Sequence, residues 1–379
     1  MSLRKNKIAL VYDRVNTPFG GAEQVLVALH ELFPNAPLFT SVYDSNQAKW
    51  AKVFGVRPSF LQHIPFAKSH HRQFVALMPK AFESLELKEF DIVLSISSAE
   101  AKGVLTHANQ LHVCYLLTPT RYLWSHYLEY ETGILKPLKA FIFSQLRFWD
   151  FKAAQRPNHL ISISNITANR TKKYYKREVN AVVYPPFVPL PTVDELPTKP
   201  SELYFLIVSR LVPYKNIDLA IKVCIKNKWN LKIVGKGPEK DRLVQLVQDL
   251  DGENFIHFLE GVSSQELAYL YSQAKAFVLP NEEDFGIAGL EALSAGCPLI
   301  TSEKSGVGEL VTQNKTGLLL KSITVETLEQ ALHQSKQIHW QKKAIAESVM
   351  EYNKASFQKK FLKILEDLWE SHLKNITST

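Results

Sequence analysis

Two carboxylates spaced as E-x7-E, Glu283 and Glu291, stand in the run Leu279-Pro-Asn-Glu-Glu-Asp-Phe-Gly-Ile-Ala-Gly-Leu-Glu. An apolar strand-like stretch ends at Leu279, the chain turns through acidic residues, and a helical pattern begins near Ile287. In an open α/β sheet, ligands bind beyond the carboxyl ends of the strands, so this turn delivers Glu283 to such a crevice. Gly286 removes a side chain where backbone N–H groups approach a ligand, and the helix start that follows favours an anion. Glu291, four residues past Ile287, can point toward the same crevice. One carboxylate on a sugar and another on a ribose diol would suit a sugar nucleotide. The plainer alternative makes Glu283 a helix cap and Glu291 a surface residue.

A second segment, Val208-Ser-Arg-Leu-Val-Pro-Tyr-Lys-Asn, places Arg210 and Lys215 after a strand ending at Ser209 and before a helix capped by Asn216. Two cations at the mouth of the same sheet could neutralise a diphosphate leaving group. The glycine turn Gly235-Lys236-Gly237 belongs to the same half of the chain. In the first half, Gly20-Gly21 lies between a strand and a helix and lets backbone approach a phosphate or sugar, or simply makes a tight turn. It is not the GxGxxG of dinucleotide sites.

Metal chemistry finds little support. Asp249-Leu250-Asp251 reads D-x-D but ends an amphipathic helix just before Gly252, which suits a solvated helix terminus. Cys114, Cys224 and Cys297 are isolated in apolar surroundings and read as small buried hydrophobes of a reducing compartment. We therefore expect no metal and no cofactor.

The elements that must position these residues follow from hydrophobic periodicity. Strands are expected at Lys7–Asp13, Leu38–Val42, Asp91–Ile96, His112–Leu117 and His159–Ile163, with a first helix from about Ala22 to Phe33. Proline recurs from Tyr184-Pro185-Pro186 to Pro200, which excludes a helix or central strand and marks a linker. The grammar then restarts, with strands Tyr204–Ser209, Asn230–Val234, Ile256–Phe258, Ala276–Leu279 and Pro298–Thr301. Helices Ile217–Ile225, Glu239–Gln248, Ser264–Gln273 and Ala288–Ala295 alternate with them. Glu326–Leu373 is helical throughout in pattern, with Phe357, Phe361, Ile364, Leu365 and Leu368 as its apolar stripe, and the tail Asn375–Thr379 should fray. Short buried runs alternating with helices indicate α/β domains with parallel, doubly wound sheets.

A chain of 379 residues, 46% hydrophobic and 22% charged, suits two soluble domains. It has no run long enough to span a membrane, and its start has no cleavable signal-like segment, so a cytoplasmic protein is expected. The net charge of +8 is uneven, because residues 1–187 hold 23 Lys and Arg against 13 Asp and Glu. Such asymmetry suits an anionic membrane surface, a phosphorylated acceptor or an ordinary solvated face. The stretch Phe60–Phe82, with Phe66, Phe74, Leu77 and Met78 among Lys68, Arg72 and Lys80, could be a membrane contact or a core-facing helix with a wet side. The basic residues are dispersed and no nucleic-acid reading motif is present, so nucleic acid is not an expected partner.

The chain resembles the retaining glycosyltransferases of family 4, the group 1 transferases, over nearly its whole length. The carriers are E-x7-E at Glu283 and Glu291, Ser209-Arg210-Leu211 with Lys215, the VGxGP turn Val234–Pro238, and Gly20-Gly21. The resemblance implies a GT-B fold, two Rossmann-like domains facing each other across a cleft. Residues 1–187 would form the acceptor-binding domain, joined by a C-terminal helix of about 355–375 that crosses back. Residues 188–354 would form the domain that binds the nucleotide sugar. It implies Arg210 and Lys215 on the donor diphosphate, Glu283 on the transferred sugar and Glu291 on the ribose. Gly20, Gly21, Gly235, Phe285, Gly286, Ile287 and Ala288 would complete the donor site, with Arg121 toward the acceptor. Thr118-Pro-Thr-Arg-Tyr-Leu-Trp looks like the corresponding run of mannosyltransferases in surface-polysaccharide assembly, which makes GDP-mannose the leading donor. The chain departs from the pattern at Leu117, where many relatives carry a histidine.

These readings converge on a retaining, metal-independent hexosyltransferase. Its co-substrate would be a nucleoside diphosphate sugar and its acceptor a glycan or lipid-linked molecule. It would be cytoplasmic, with docking at the inner face of the cell membrane as a further expectation. The rivals are a sugar-nucleotide epimerase or hydrolase on the same fold, and a non-catalytic sugar-nucleotide-binding subunit.

Overall fold

The computed structural model describes residues 3–125, 127, 136–191 and 203–377. The chain divides into two compact units, Met1–Pro186 with Lys354–Thr379, and Phe187–Asn353. Most of the proline-rich stretch, residues 192–200, lies outside the described residues.

In the first unit seven parallel strands stand in the order β3-β2-β1-β4-β5-β6-β7. They are β1 (Ile8–Tyr12), β2 (Leu38–Thr40), β3 (Val56–Pro58), β4 (Ile92–Ser97), β5 (Leu111–Leu116), β6 (His159–Ser162) and β7 (Ala181–Val182). All five residues of β1 and all six of β4 and of β5 are buried, as expected of strands covered on both faces. Each fully buried aliphatic side chain there contributes about 1.5–3 kcal/mol. The chain runs outward from β1 to β3 and returns to lay β4 on the other side of β1, with Tyr12 opposite Ile96. The sheet's switch point therefore lies between β1 and β4. Helices α1 (Gly21–Leu32), α2 (Met78–Glu83), α3 (Lys136–Ala153) and α4 (Asn165–Tyr175) accompany this sheet. Ser164 caps α4 by accepting from the Thr167 N–H at 3.0 Å.

The second unit repeats the plan with six parallel strands in the order β10-β9-β8-β11-β12-β13. They are β8 (Tyr204–Val208), β9 (Asn230–Val234), β10 (Ile256–Leu259), β11 (Ala276–Leu279), β12 (Leu299–Ser302) and β13 (Gly317–Leu320). Its helices are α5 (Ile217–Lys226), α6 (Lys240–Asp249), α7 (Ser264–Gln273), α8 (Ile287–Ser294), α9 (Val325–Gln337) and α10 (Lys342–Glu347). A Ser263–Glu266 capping box starts α7. Here the switch point lies between β8 and β11, where Phe205 stands opposite Ala276.

The last helix, α11 (Lys354–Thr377), belongs to the first unit. Phe357 and Phe361 set their rings edge-on to Tyr115 of β5, each at 5.9 Å between centroids. Lys354 pairs with Glu31 of α1 at 2.7 Å.

The sequence pattern misjudged three things. Glu326–Leu373 is not one helical run: α9, α10 and α11 are separated by an extended Ile338 and by the segment that ends at Asn353. Trp340 donates back to the Ser335 carbonyl at 2.9 Å and turns the chain, while Asn353 bridges to Phe187. The buried stripe of α11 includes Trp369, whereas Ile364 and Leu368 are only half-buried. Edge strands β3, β7 and β13 carried no clear alternation. In β13, Gly317 is where any Cβ would collide with the Leu299 carbonyl, so the glycine admits a close strand pair that its leucines alone do not announce.

Candidate functional site

The switch point of the second unit collects the chemistry. From β8 the chain passes through Ser209 and the exposed Arg210 into a short 3-10 turn, Pro213–Lys215. From β11 it enters the acidic turn Asn281–Asp284. Lys215 and Glu283 form an ion pair, with side chains 11% and 12% exposed. In a pair so shielded from water, desolvation offsets much of the Coulomb attraction, but each charge depends on the other, because removing one strands its partner.

Three features hold this pair in place. Asn216 adopts a left-handed conformation with φ 51° at the start of α5. Its side chain does not cap that helix, as the sequence suggested, but donates from Nδ2 to the Pro280 carbonyl at 3.0 Å. It thereby ties the Lys215 turn to the end of β11. The glycines of Gly235-Lys236-Gly237 also act on this loop: Cβ atoms there would strike the Ser209 and Leu211 carbonyls. With both absent, Leu211 donates to Lys236 O at 2.9 Å and Glu239 to Leu211 O at 3.1 Å, which braces the Arg210 loop from behind. On the other side, Gly306 donates to Glu283 O at 3.0 Å and Val307 to Phe285 O at 2.7 Å, fastening the acidic turn to a 3-10 segment, Gly306–Leu310. The run Ser305-Gly-Val-Gly passed unremarked in the sequence, although paired glycines were the available signal.

Gly286 is the N-cap of α8 at φ 102°, a conformation that favours glycine. As a glycine, Gly286 brings no side-chain cap of its own to this helix. Gly286, Ile287 and Ala288 are half-exposed, Phe285 is buried, and α8 has no acidic residue in its first turn. Its backbone N–H groups thus retain the partial positive charge of a helix start. Glu291 lies on α8, where Tyr271 donates to it at 3.4 Å. Arg210 donates to the Tyr214 hydroxyl at 3.2 Å, and Lys215 lies 5.4 Å from the centre of the same ring. Tyr214, not singled out in the sequence, thus links the two cations. Arg210, Lys215, Glu283 and the start of α8 are thereby gathered in one sheet crevice.

Gly20, Gly21 and Arg121 belong to the first unit. Gly20 is the N-cap of α1, and a Cβ there would stand 3.0 Å from Glu23 Oε2. The close approach that Gly20 permits is made by this buried carboxylate, which also accepts from Tyr12 at 2.9 Å. Arg121 lies in the turn after β5, and Leu117 is buried, 9% exposed, with its N–H on the Ser97 carbonyl at 2.8 Å. Among the described residues no group of three or more His, Cys, Asp or Glu could hold a metal ion. Asp249 closes α6 and Asp251 lies just beyond it with φ 51°. No helix of the described residues is long and apolar enough to cross a membrane.

Residues 192–368 match the family model described as glycosyl transferases group 1. The O-antigen chain mannosyltransferase RfbU of Salmonella typhimurium is 33% identical over 172 residues, 44% of this chain and 48% of that protein. A GDP-mannose-dependent alpha-(1-6)-phosphatidylinositol monomannoside mannosyltransferase of Mycobacterium tuberculosis is 33% identical over 138 residues, 33% of this chain and 36% of that protein. The matches span about half the length of these curated relatives or less. Among solved structures, sucrose-phosphate synthase from Thermosynechococcus elongatus superposes with a TM-score of 0.73 at 16% identity, covering 96% of this chain and 100% of the other. The fold is the GT-B type of two Rossmann-like domains.

Proposed function

From its group 1 glycosyl transferase region at residues 192–368, we propose that this chain is a retaining glycosyltransferase that takes a hexose from a nucleoside diphosphate sugar. The observation that carries the reading is the Lys215–Glu283 pair at the switch point of the second unit, beside the start of α8. The donor's diphosphate would lie at the α8 N-terminus, against Arg210 and Lys215. Glu283 would hold the transferred sugar and Glu291 the ribose hydroxyls, with Gly235 and the Phe285–Ala288 stretch shaping the pocket. In the first unit, proposed to bind the acceptor, Gly20 and Gly21 are assigned to donor binding and Arg121 to acceptor binding on the family resemblance alone.

In this mechanism the bond between the anomeric carbon and the diphosphate oxygen breaks while an acceptor hydroxyl adds from the same face. Its proton passes to the departing diphosphate oxygen. Arg210, Lys215 and the backbone N–H groups stabilise the charge that develops there. Removing one such preorganised donor costs about 3–4 kcal/mol in comparable sites. Two cations and a helix start supply this stabilisation from the protein, and the reaction is proposed to need no metal.

GDP-mannose is the proposed donor, supported by the mannosyltransferase names of the two relatives. A glycan or lipid-linked molecule is the proposed acceptor, and an anionic membrane surface the proposed site of work. A donor screen tests the reading: nucleotide release from GDP- and UDP-sugars is measured with and without lipid-linked acceptors, and with EDTA. Release that requires acceptor and survives EDTA is expected. Release without acceptor would favour a hydrolase, and none with any donor would favour a binding subunit.

A further inference from the structure

In the first unit one buried carboxylate receives hydrogen bonds from four side chains. Asp150, on α3, is fully buried. Its Oδ1 accepts from Lys102 Nζ at 2.6 Å and Thr120 Oγ1 at 2.8 Å. Its Oδ2 accepts from Trp124 Nε1 at 2.7 Å and the Tyr175 hydroxyl at 2.8 Å. A carboxylate offers about four acceptor positions, so Asp150 is saturated. Lys102, in the 3-10 turn Ala101–Gly103 after β4, is equally buried and balances its charge. Gly103 lets α3 close on that turn, since a Cβ there would strike the Trp149 ring.

Two of the four donors, Thr120 and Trp124, flank Arg121 in the segment that follows β5. Further bonds tie the same segment down. Thr120 N donates to the Tyr175 hydroxyl at 3.1 Å, Tyr122 to Glu100 at 2.6 Å, and Arg147 of α3 to the Leu123 carbonyl at 2.6 Å. Leu123 clusters with Phe143 and Leu146 of α3. Arg121 is half-exposed between these anchors. We infer that Asp150 is a positioning residue: through Thr120 and Trp124 it fixes the backbone that carries Arg121, and so sets how well the acceptor is used. The inference rests on the acceptor role proposed for Arg121. Apolar packing alone would hold the segment against α3 without fixing its register. Hydrogen bonds to a buried carboxylate are directional and strong in a low dielectric, and a fully satisfied network of them specifies one arrangement. A shift of about 1 Å at a substrate-positioning group can cost about a hundredfold in rate.

Truncating Asp150 itself would strand the buried Lys102 charge and test the fold rather than the position. Two variants loosen the tether without stranding a charge: Trp124→Phe removes one donor to Asp150, and Thr120→Val another. Tyr115→Phe, which loses a buried bond to the Val183 carbonyl at 2.7 Å, is the control for a loss that is only structural. Amide hydrogen exchange should be faster across residues 118–124 in both tether variants and not in the control. Unchanged exchange there overturns the inference, whether or not the parent transfers sugar. In transfer from GDP-mannose to octyl α-mannoside, both variants should raise the acceptor KM about tenfold, while the donor KM and the GDP affinity keep their parent values. In an Arg121→Ala background the same substitutions should change the acceptor KM by less than about twofold. Donor and acceptor KM rising together, an equal rise in the control, or the full effect without Arg121 would each overturn the inference. No transfer by the parent counts instead against the transferase reading, and exchange alone then decides whether Asp150 positions the segment.

Discussion

Lys215 and Glu283 come from the ends of two adjacent strands, β8 and β11, and neutralise each other at a place largely closed to water. This pairing couples the two side chains. Truncating one partner leaves the other charge shielded from solvent and unpaired, which costs about 3–5 kcal/mol in fully buried pairs and less in one that is partly wet. Lys215→Ala and Glu283→Gln should each lower the melting temperature, and the double variant should melt above the sum of the two losses. A thermal-unfolding double-mutant cycle that proved additive would show that the pair carries no coupling.

Gly286→Ala tests the turn that presents Glu283. The backbone there is at φ 102°, and a Cβ would stand 3.0 Å from Leu279 Cδ2 and 3.1 Å from Val307 Cγ1. Positive-φ strain alone costs about 1–3 kcal/mol. We expect a lower midpoint in chemical denaturation and weaker nucleotide binding. Parent-like values in both would mean that the turn is not under constraint.

Acid should destabilise the first unit through two histidines. Burial lowers His112 to about 3, helped by Arg177 and Arg156. His71 is lowered to about 4, again by burial first, then by Arg14 and Arg72. The unfolded chain takes up these protons near its ordinary pKa of about 6.5 while the folded chain does not. Stability is therefore fully present above that value and falls as pH drops toward the folded values, by about 1.4 kcal/mol per pH unit for a fully buried group. Denaturation at pH 7.5 and pH 5 should show this loss, and His112→Gln should reduce it. An unchanged slope in that variant would remove His112 from the account.

Membrane docking, as proposed, would draw on exposed aromatic side chains of the first unit. Phe66 is 76% exposed, and on α3 Phe141 and Phe148 are 64% and 61% exposed. Lys68, Arg72 and Lys152 are also exposed in these segments. The stretch Phe60–Phe82 is not one helix: 3-10 segments Phe60–His63 and His71–Leu77 precede α2, and Met78 is in the core rather than at the surface. Each basic residue near an anionic surface adds about 1 kcal/mol, screened within about 8 Å at physiological salt. Flotation should therefore show binding to anionic vesicles that fades with salt, and weaker binding for Phe66→Ser with Phe148→Ser. Equal binding to neutral vesicles, or none to either, would end this proposal.

Much of the second unit could be read from its residues because buried parallel strands and amphipathic helices leave strong periodic marks. The strand ending at Leu279, the acidic turn and the helix near Ile287 were all legible. What periodicity does not record is which loops touch. The tie from Asn216 to Pro280, the closing of Lys215 on Glu283, and the glycines that let residues 235–237 lie against 209–211 are long-range events. Gly235, which the resemblance assigns to the donor site, also makes space for the backbone of Ser209. In the first unit Glu100 carried no motif at all. Only the return of β4 to the side of β1 gives it neighbours such as Asp13 and Arg14.

Glu283 is proposed to serve a sugar transfer that retains anomeric configuration. The most direct measurement is a proton NMR time course of GDP-mannose and a lipid-linked acceptor, run with the parent and with Glu283→Gln. The account predicts an α-linked product from the first detectable turnover of the parent, slowed about a hundredfold or more in the variant while the fold is kept. A β-linked first product, or a variant within a few-fold of the parent, would contradict it.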